Sequence, residues 1–488
     1  MNPLKQLAGQ TAVYGLSSIL GRLLSYLLVP LYTRVFVPAE YGINNEMYAY
    51  VSLLIVILTY GFETGFFRFN QTHDNKDVVY STTLISLLVT SSLFAALIIC
   101  FAQPVANIIQ HPANSEYIVW LGLIISLDAF SSIPFARLRV QNKARRFATI
   151  KLIGIFTYIA FNLFFILLCP YLLKHSIGVG FLDVIYNKNI GIGYIFISNL
   201  ISSLITILLL LPEIVGVKYK FDYKLWKTIF RYSFPLLIVG LAGIINETMD
   251  RLFLTYLLPK GIAMSEVGIY GACYKISIFL TLFVQAFRFA AEPFFFAQAN
   301  EQNAKKIYSD TMTYFTLVCS FIFLGVMLYI DIAKYFIGSK YYEGLPVVPI
   351  LLIANICLGI YYNLSIWYKL TGQTKFGAFI SVAGAVVTII LNVWLIPIIG
   401  YMGSAWTTLI CYAFMMVASY FFGQKYYHIN YNLPKIFLYF GLAILLYVIS
   451  VYLNIEGKTF RIAIHSLLML SFLIIVFLIE RKNIRSLI

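Results

Sequence analysis

Charge is scarce in this chain. Only 11% of its 488 residues are Asp, Glu, Lys or Arg, where soluble proteins carry about 25%, and that shortage excludes an ordinary water-soluble domain. Cysteine is scarce too. Cys100, Cys169, Cys273, Cys319, Cys357 and Cys411 stand singly inside apolar runs, which excludes a disulfide framework or a clustered metal site. The five histidines, His73, His111, His175, His428 and His465, are equally dispersed and assemble no catalytic cluster. The ~10-residue alternating segments of a transmembrane barrel are missing. So is any nucleotide-binding motif.

What is present is apolar: 61% of the residues are hydrophobic. Runs near the ~20 residues needed to cross a bilayer recur from end to end. Fourteen spans are expected, near residues 10–32, 44–66, 79–102, 117–137, 147–173, 190–213, 229–257, 266–291, 310–335, 345–367, 376–398, 401–422, 435–453 and 461–480. The fold class is therefore all-α and integral to the membrane. The first run is long, is interrupted by Arg22 and lacks a small-residue cleavage site, so it reads as a retained helix rather than a signal peptide.

Basic loops mark the cytoplasmic side of a membrane protein. RLRVQNKARR (137–146), KYKFDYKLWK (218–227), Lys305, Lys306, Lys425 and the terminal RKNIR all fall on one side under this assignment. Both termini are then cytoplasmic. The net charge of +15 reports topology and anionic lipid headgroups, not nucleic acid.

The chain also repeats itself. AEYGINNEMYAYVSLL (39–54) and SEVGIYGACYKISIFL (265–280) share Glu40/Glu266, Gly42/Gly268, Ile43/Ile269, Tyr48/Tyr274 and Leu54/Leu280 at a constant offset of 226 residues. Arg139, Asn142 and Arg145 are echoed by Lys369, Gly372 and Lys375 at an offset of 230. Two parallel six-helix repeats are expected, 1–228 and 229–430, with the last two helices (431–488) as an appendage. Parallel repeats about an axis along the membrane normal are a known transporter design.

Charges inside spans are the informative residues, because each costs about 2.5–3.5 kcal/mol at mid-bilayer unless it meets water or a partner. Arg22 lies ~18 Å along the first span and Lys275 ~13 Å into the eighth. Asp128 is at similar depth in the fourth. Arg288 and Glu63 lie towards the cytoplasmic ends, and Arg68 is at the exit of span two. Two readings stand: a cationic cavity that holds an anionic group, or structural pairs, Arg22 with Asp128 and Arg288 with Glu292. In span seven, Glu247, Asp250 and Arg251 share one helix edge. They read as a coupling site for Na⁺ or H⁺, or as a structural ion-pair network near the outer boundary, and the nearby arginine favours the second. Pro134 and Pro235 mark points where helices kink.

These residues carry a resemblance. GLSSILGRLLSYLLVPLYTRVFVPAEYG (15–42), GFETGFFRF (61–69), the Asp250-Arg251 pair and EVGIYGACYKI (266–276) resemble the Wzx-type O-antigen or capsule flippases of the multidrug/oligosaccharidyl-lipid/polysaccharide exporter superfamily. Its most specific element is E-x-G-I-Y-x-x-x-x-K, here Glu266, Gly268, Ile269, Tyr270 and Lys275. The resemblance covers essentially the whole chain. It implies two lobes and alternating access, in the bacterial inner membrane, with a lipid diphosphate-linked oligosaccharide moved from the cytoplasmic to the periplasmic leaflet. It also implies no catalysis and no cofactor, with Na⁺ or H⁺ coupling left open. Membrane lipids are implied partners, with a polysaccharide polymerase and glycosyltransferases as further candidates. Arg22, Lys275, Arg288 and Arg68 become candidate substrate contacts. The rival readings are a lipid II flippase, a multidrug/cation antiporter of the same superfamily, and a membrane oligosaccharide polymerase or ligase. The last would carry a large external loop with catalytic residues, and the longest external loop here is short.

Overall fold

The computed structural model describes residues 20, 21, 23–299, 301–453 and 457–485, and every regular element among them is helical. Among the described residues, a short apolar helix, α1 (Leu23–Val35), precedes thirteen helices long and apolar enough to cross a membrane. These are α2 (Pro38–Thr72), α3 (Lys76–Cys100), α4 (Ser115–Val140), α5 (Ala144–Lys174), α6 (Gly193–Val215), α7 (Tyr223–Leu257) and α8 (Lys260–Gln298). They continue with α9 (Ala304–Leu328), α10 (Val347–Leu370), α11 (Thr374–Ile399), α12 (Tyr401–Tyr426), α13 (Leu433–Tyr452) and α14 (Thr459–Arg481). Residues 10–19 and Arg22 of the first expected span lie outside the described residues.

Local chemistry sets the helix starts. The Asn75, Asp222 and Asn432 side chains accept from Val78 N (3.2 Å), Leu225 N (3.0 Å) and Lys435 N (3.2 Å), satisfying first-turn donors of α3, α7 and α13. Glu40 reaches back to the Val37 amide at 3.1 Å and closes the start of α2. Several spans are broken inside. α2 bends where Tyr60 and Gly61 take φ of 35° and 73°, a left-handed pair that only the glycine adopts without strain. α5 passes through a π turn at Phe164–Leu168, and α8 through a 3₁₀ turn at Lys275–Ser277. Such breaks free backbone groups, which within a bilayer are tolerated where protein or a wet cavity receives them.

The chain divides into two compact units between Gly268 and Ile269. In unit 1, α4 lies between α3 and α6, α5 packs on α6, and α7 runs along α2. The α2–α7 contact closes around small residues: a Cβ on Gly65 would stand 2.5 Å from Ser233 Oγ, and one on Gly240 3.1 Å from Val56. In unit 2 the same scheme recurs. There α10 packs on α9 and α12, and α11 on α12. The packing order α3–α4–α6–α5 thus returns as α9–α10–α12–α11, so four helices of each expected repeat share one packing scheme. α13 docks along α9, and α14 touches both.

Candidate substrate-binding site

A polar seam runs through unit 1. On α5, Lys151, Gly154, Tyr158 and Asn162 fall on one helix face. On α6, Asn199, Ser202, Ser203 and Thr206 do the same in an otherwise Leu/Ile-rich run. The two stripes face each other. Ser202 donates to the Gly154 carbonyl at 2.7 Å, and a Cβ on Gly154 would stand 2.9 Å from Thr206 Oγ1, so the glycine lets the helices close.

Neighbouring helices complete the seam. Ser203 donates to Asp128 Oδ1 of α4 at 2.8 Å, and Asn199 Nδ2 donates to the Tyr48 hydroxyl of α2 at 3.0 Å. Tyr32 of α1 donates to Asn162 Oδ1 at 2.7 Å and lies 3.0 Å from the Tyr158 hydroxyl. Lys151 sits 4.0 Å over the Phe135 ring and within electrostatic reach of Asp128 and Glu63. Asp128 lies in the middle of α4, yet its side chain is exposed. A carboxylate at that depth is far too costly in hydrocarbon.

The other candidates in unit 1 are placed differently. Glu63 pairs with Arg139, whose guanidinium covers Phe67 at 4.7 Å. Arg68 is exposed and stacks over Tyr232 at 4.4 Å. Asp250 and Arg251 are both buried and ion-paired at 2.9 Å, and Arg251 also donates to the Glu247 carbonyl at 2.9 Å. Glu247's own side chain is exposed. Arg251 thus takes the Asp250 carboxylate and only the backbone of Glu247.

In unit 2, Lys275 opens the 3₁₀ turn that interrupts α8 and is half-buried. Arg288 is exposed, with its guanidinium 4.5 Å over the Tyr362 ring. The expected Arg288–Glu292 pairing is corrected: Glu292 is bound by Lys369 at 3.0 Å. The reason is geometric, because Lys369 at the end of α10 reaches the carboxylate while Arg288 finds an aromatic face nearby.

A profile of the polysaccharide biosynthesis protein family matches residues 7–298. The chain belongs to this family. The match spans the whole seam, the Asp250–Arg251 pair, Lys275 and Arg288. An uncharacterized membrane protein of Methanocaldococcus jannaschii is 22% identical over 444 residues, covering 84% of this chain and 82% of its own length. A probable low-salt glycan biosynthesis flippase of Haloferax volcanii is 20% identical over 402 residues, 82% and 79% of the two chains. Among solved structures, the lipid II flippase MurJ in an inward closed conformation superposes with a TM-score of 0.74 at 15% identity, over 96% of this chain and 99% of that one. An inward-facing multidrug resistance MATE family transporter, itself of the MOP superfamily, gives 0.65 at 14% identity, over 82% and 93%. The fold of this family member is accordingly MurJ- and MATE-like.

Sequence reasoning weighed charges one at a time and so passed over most of the seam. Lys151 lies near the start of α5, where a lysine's long stem lets its charge snorkel. The signal that could have found the rest is the Asn-Ser-Ser-Thr spacing of i, i+3, i+4, i+7 on α6, a polar stripe inside an apolar span. Glu46 was missed as well. It is fully buried on α2 and pairs with His111 at 2.6 Å.

Proposed function

We propose that the chain flips lipid diphosphate-linked oligosaccharide repeat units, of the kind built into O-antigen or capsule, and is a transporter rather than an enzyme. The substrate passes by alternating access from the cytoplasmic to the periplasmic leaflet of a bacterial inner membrane, with both termini in the cytoplasm. The observation that carries the reading is a polar, charged seam held deep in the spans of a polysaccharide biosynthesis family member. Sugars and diphosphates cannot cross hydrocarbon unaided, since each unsatisfied polar group there costs several kcal/mol. A wet recess lowers that barrier while the isoprenoid tail stays in lipid. The glycan biosynthesis flippase among its relatives and the lipid II flippase among its structural neighbours support the same class of cargo.

In this reading the anionic diphosphate is met by basic side chains on the spans: Arg22 and Arg68 on the first two, Lys275 and Arg288 on the eighth. Na⁺ or H⁺ supplies any coupling. Glycosyltransferases provide the substrate and a polymerase consumes it.

The test uses protein reconstituted in vesicles with a fluorophore-labelled undecaprenyl diphosphate oligosaccharide and a membrane-impermeant quencher. Protein-containing vesicles should exchange label between leaflets at least tenfold faster than empty ones, and Arg22→Ala should abolish the gain without loss of folded protein. Exchange no faster than in empty vesicles overturns the reading. Faster movement of lipid II than of the repeat unit would instead mark a lipid II flippase.

A further inference from the structure

The seam of unit 1 contains an unusual charge arrangement. Lys151 and Asp128 act on each other electrostatically but form no ion pair. Among the described residues, Lys151 rests instead on Phe135, and the Asp128 carboxylate takes one hydrogen bond, from Ser203. The helices hold the ammonium and the carboxylate apart, so each side chain keeps hydrogen-bonding capacity for a polar guest.

The chemistry of a fitting guest follows from the walls. A metal cation would meet the Lys151 ammonium. A phosphate would meet the carboxylates of Asp128 and of Glu63, the latter already held by Arg139. A neutral guest with many hydroxyls suits both charges, donating to Asp128 and accepting from Lys151. Above them lie further groups that both donate and accept: Asn199, and the hydroxyls of Tyr48, Tyr158 and Tyr32. Along α5 from Lys151 to Asn162 the seam runs about 16 Å, long enough for a short oligosaccharide. Tyrosine also offers an aromatic face to the C–H side of a sugar ring.

We propose that the α4–α5–α6 seam, with Lys151 and Asp128 at one end and Tyr48, Tyr158 and Asn199 along it, is a binding site for the uncharged sugar portion of the cargo, separate from whatever holds the diphosphate. The inference deepens the flippase reading and rests on it for the source of the sugar.

Two measurements separate the two ideas. The first is binding, by titration calorimetry on detergent-solubilised protein, of the oligosaccharide freed by mild acid from the producing cells' own polyprenyl diphosphate pool. This probe has neither lipid nor phosphate. The wild type should bind it, and Lys151→Met, Asp128→Asn and Asn199→Ala should each weaken binding at least tenfold while eluting as monodisperse protein. Tyr48→Phe, which keeps the ring and removes only the hydroxyl, should weaken it severalfold and guards against a folding artefact. The second is vesicle transport of the glycan-bearing lipid beside sugar-free undecaprenyl diphosphate. Variants should slow the first cargo at least tenfold and the second less than twofold. No glycan binding by the wild type, variants that bind normally, or equal slowing of both cargoes overturns the seam as a sugar site. Glycan binding without any transport by the wild type sinks the flippase reading and leaves the site. A loss of Na⁺ dependence in Asp128→Asn with unchanged glycan binding would make the seam an ion site and overturn the inference.

Discussion

Gly42 and Gly268 each close against the other's helix. A Cβ on Gly42 would stand 1.9 Å from the Met264 carbonyl oxygen, and one on Gly268 1.9 Å from the Pro38 carbonyl oxygen. Residues 38 and 42 map onto 264 and 268 at the same 226-residue offset that relates the repeated E-x-G-I segments. Exchanging the two copies therefore reproduces the contact. The repeated letters are the surface by which the starts of α2 and α8 touch, backbone against backbone, with no side chain between. Close crossings of this kind depend on glycine.

The expected consequence is intolerance of a single methyl. Gly42→Ala or Gly268→Ala must displace backbone rather than a side-chain tip, and overpacking of this sort costs about 1–3 kcal/mol. Each variant should lower the thermal midpoint of the purified protein, whereas Gly180→Ala, where a Cβ meets nothing within 4 Å, should not. An unchanged midpoint in both Gly42→Ala and Gly268→Ala would show that the crossing opens freely.

Asp250 and Arg251 are 5% and 7% exposed, so removing one partner strands a buried charge. Arg251→Ala should cost about 3–5 kcal/mol of stability. Asp250→Asn keeps an oxygen that can accept from the guanidinium and should cost less. Because Arg251 already occupies the carboxylate, Asp250→Asn should leave the pH and Na⁺ dependence of transport as in the wild type. A shifted dependence would make Asp250 a coupling group.

Glu46 is wholly buried, and His111 meets one of its carboxylate oxygens at 2.6 Å. The other, Oε1, has no hydrogen-bond partner. His111→Ala should therefore leave a buried carboxyl unsatisfied and destabilise by about 1–3 kcal/mol. Pairing it with Glu46→Gln, which removes the acidic group, should recover part of that loss. If the double variant is as unstable as the sum of the singles, the two residues are not coupled.

How much of this was legible follows from what each feature depends on. Spans rest on long apolar runs, so α2 to α14 were found, although polar ends such as Lys76, Tyr223 and Lys260 carry helices past their apolar cores. The repeat was legible because both copies place glycine at the same crossing. Partners were not. Glu292 lies one turn from Arg288 in sequence but bonds Lys369, which arrives from another helix. Lys435 and Glu480 form a 2.5 Å pair between α13 and α14 that no spacing rule anticipates. Sequence distance decides contacts only along one helix, and a bundle sets most of its contacts between helices.

Asp331, just beyond α9, anchors the start of α14. It binds Lys334 at 2.6 Å and Arg461 of α14 at 2.6 Å, while His465, one turn further on, donates to the Leu328 carbonyl at 2.5 Å. The Lys334 hydrogen bond, reinforced by Arg461, holds the Asp331 carboxyl below the usual aspartate range. A carboxyl depressed on folding contributes stability that is fully present above its unfolded value, near 4, and is lost as pH falls through the lower folded value. The Asp331 contribution should thus be constant between pH 7 and 5 and fade only below about 4. Hydrogen exchange over 459–466, corrected for intrinsic rates, reads this directly. Asp331→Asn should exchange faster than the wild type at pH 7, with the difference narrowing at pH 3.5 as the wild-type carboxyl takes up its proton. Equal exchange in the two proteins at pH 7 would mean that α14 is held at this end by packing and by His465 alone.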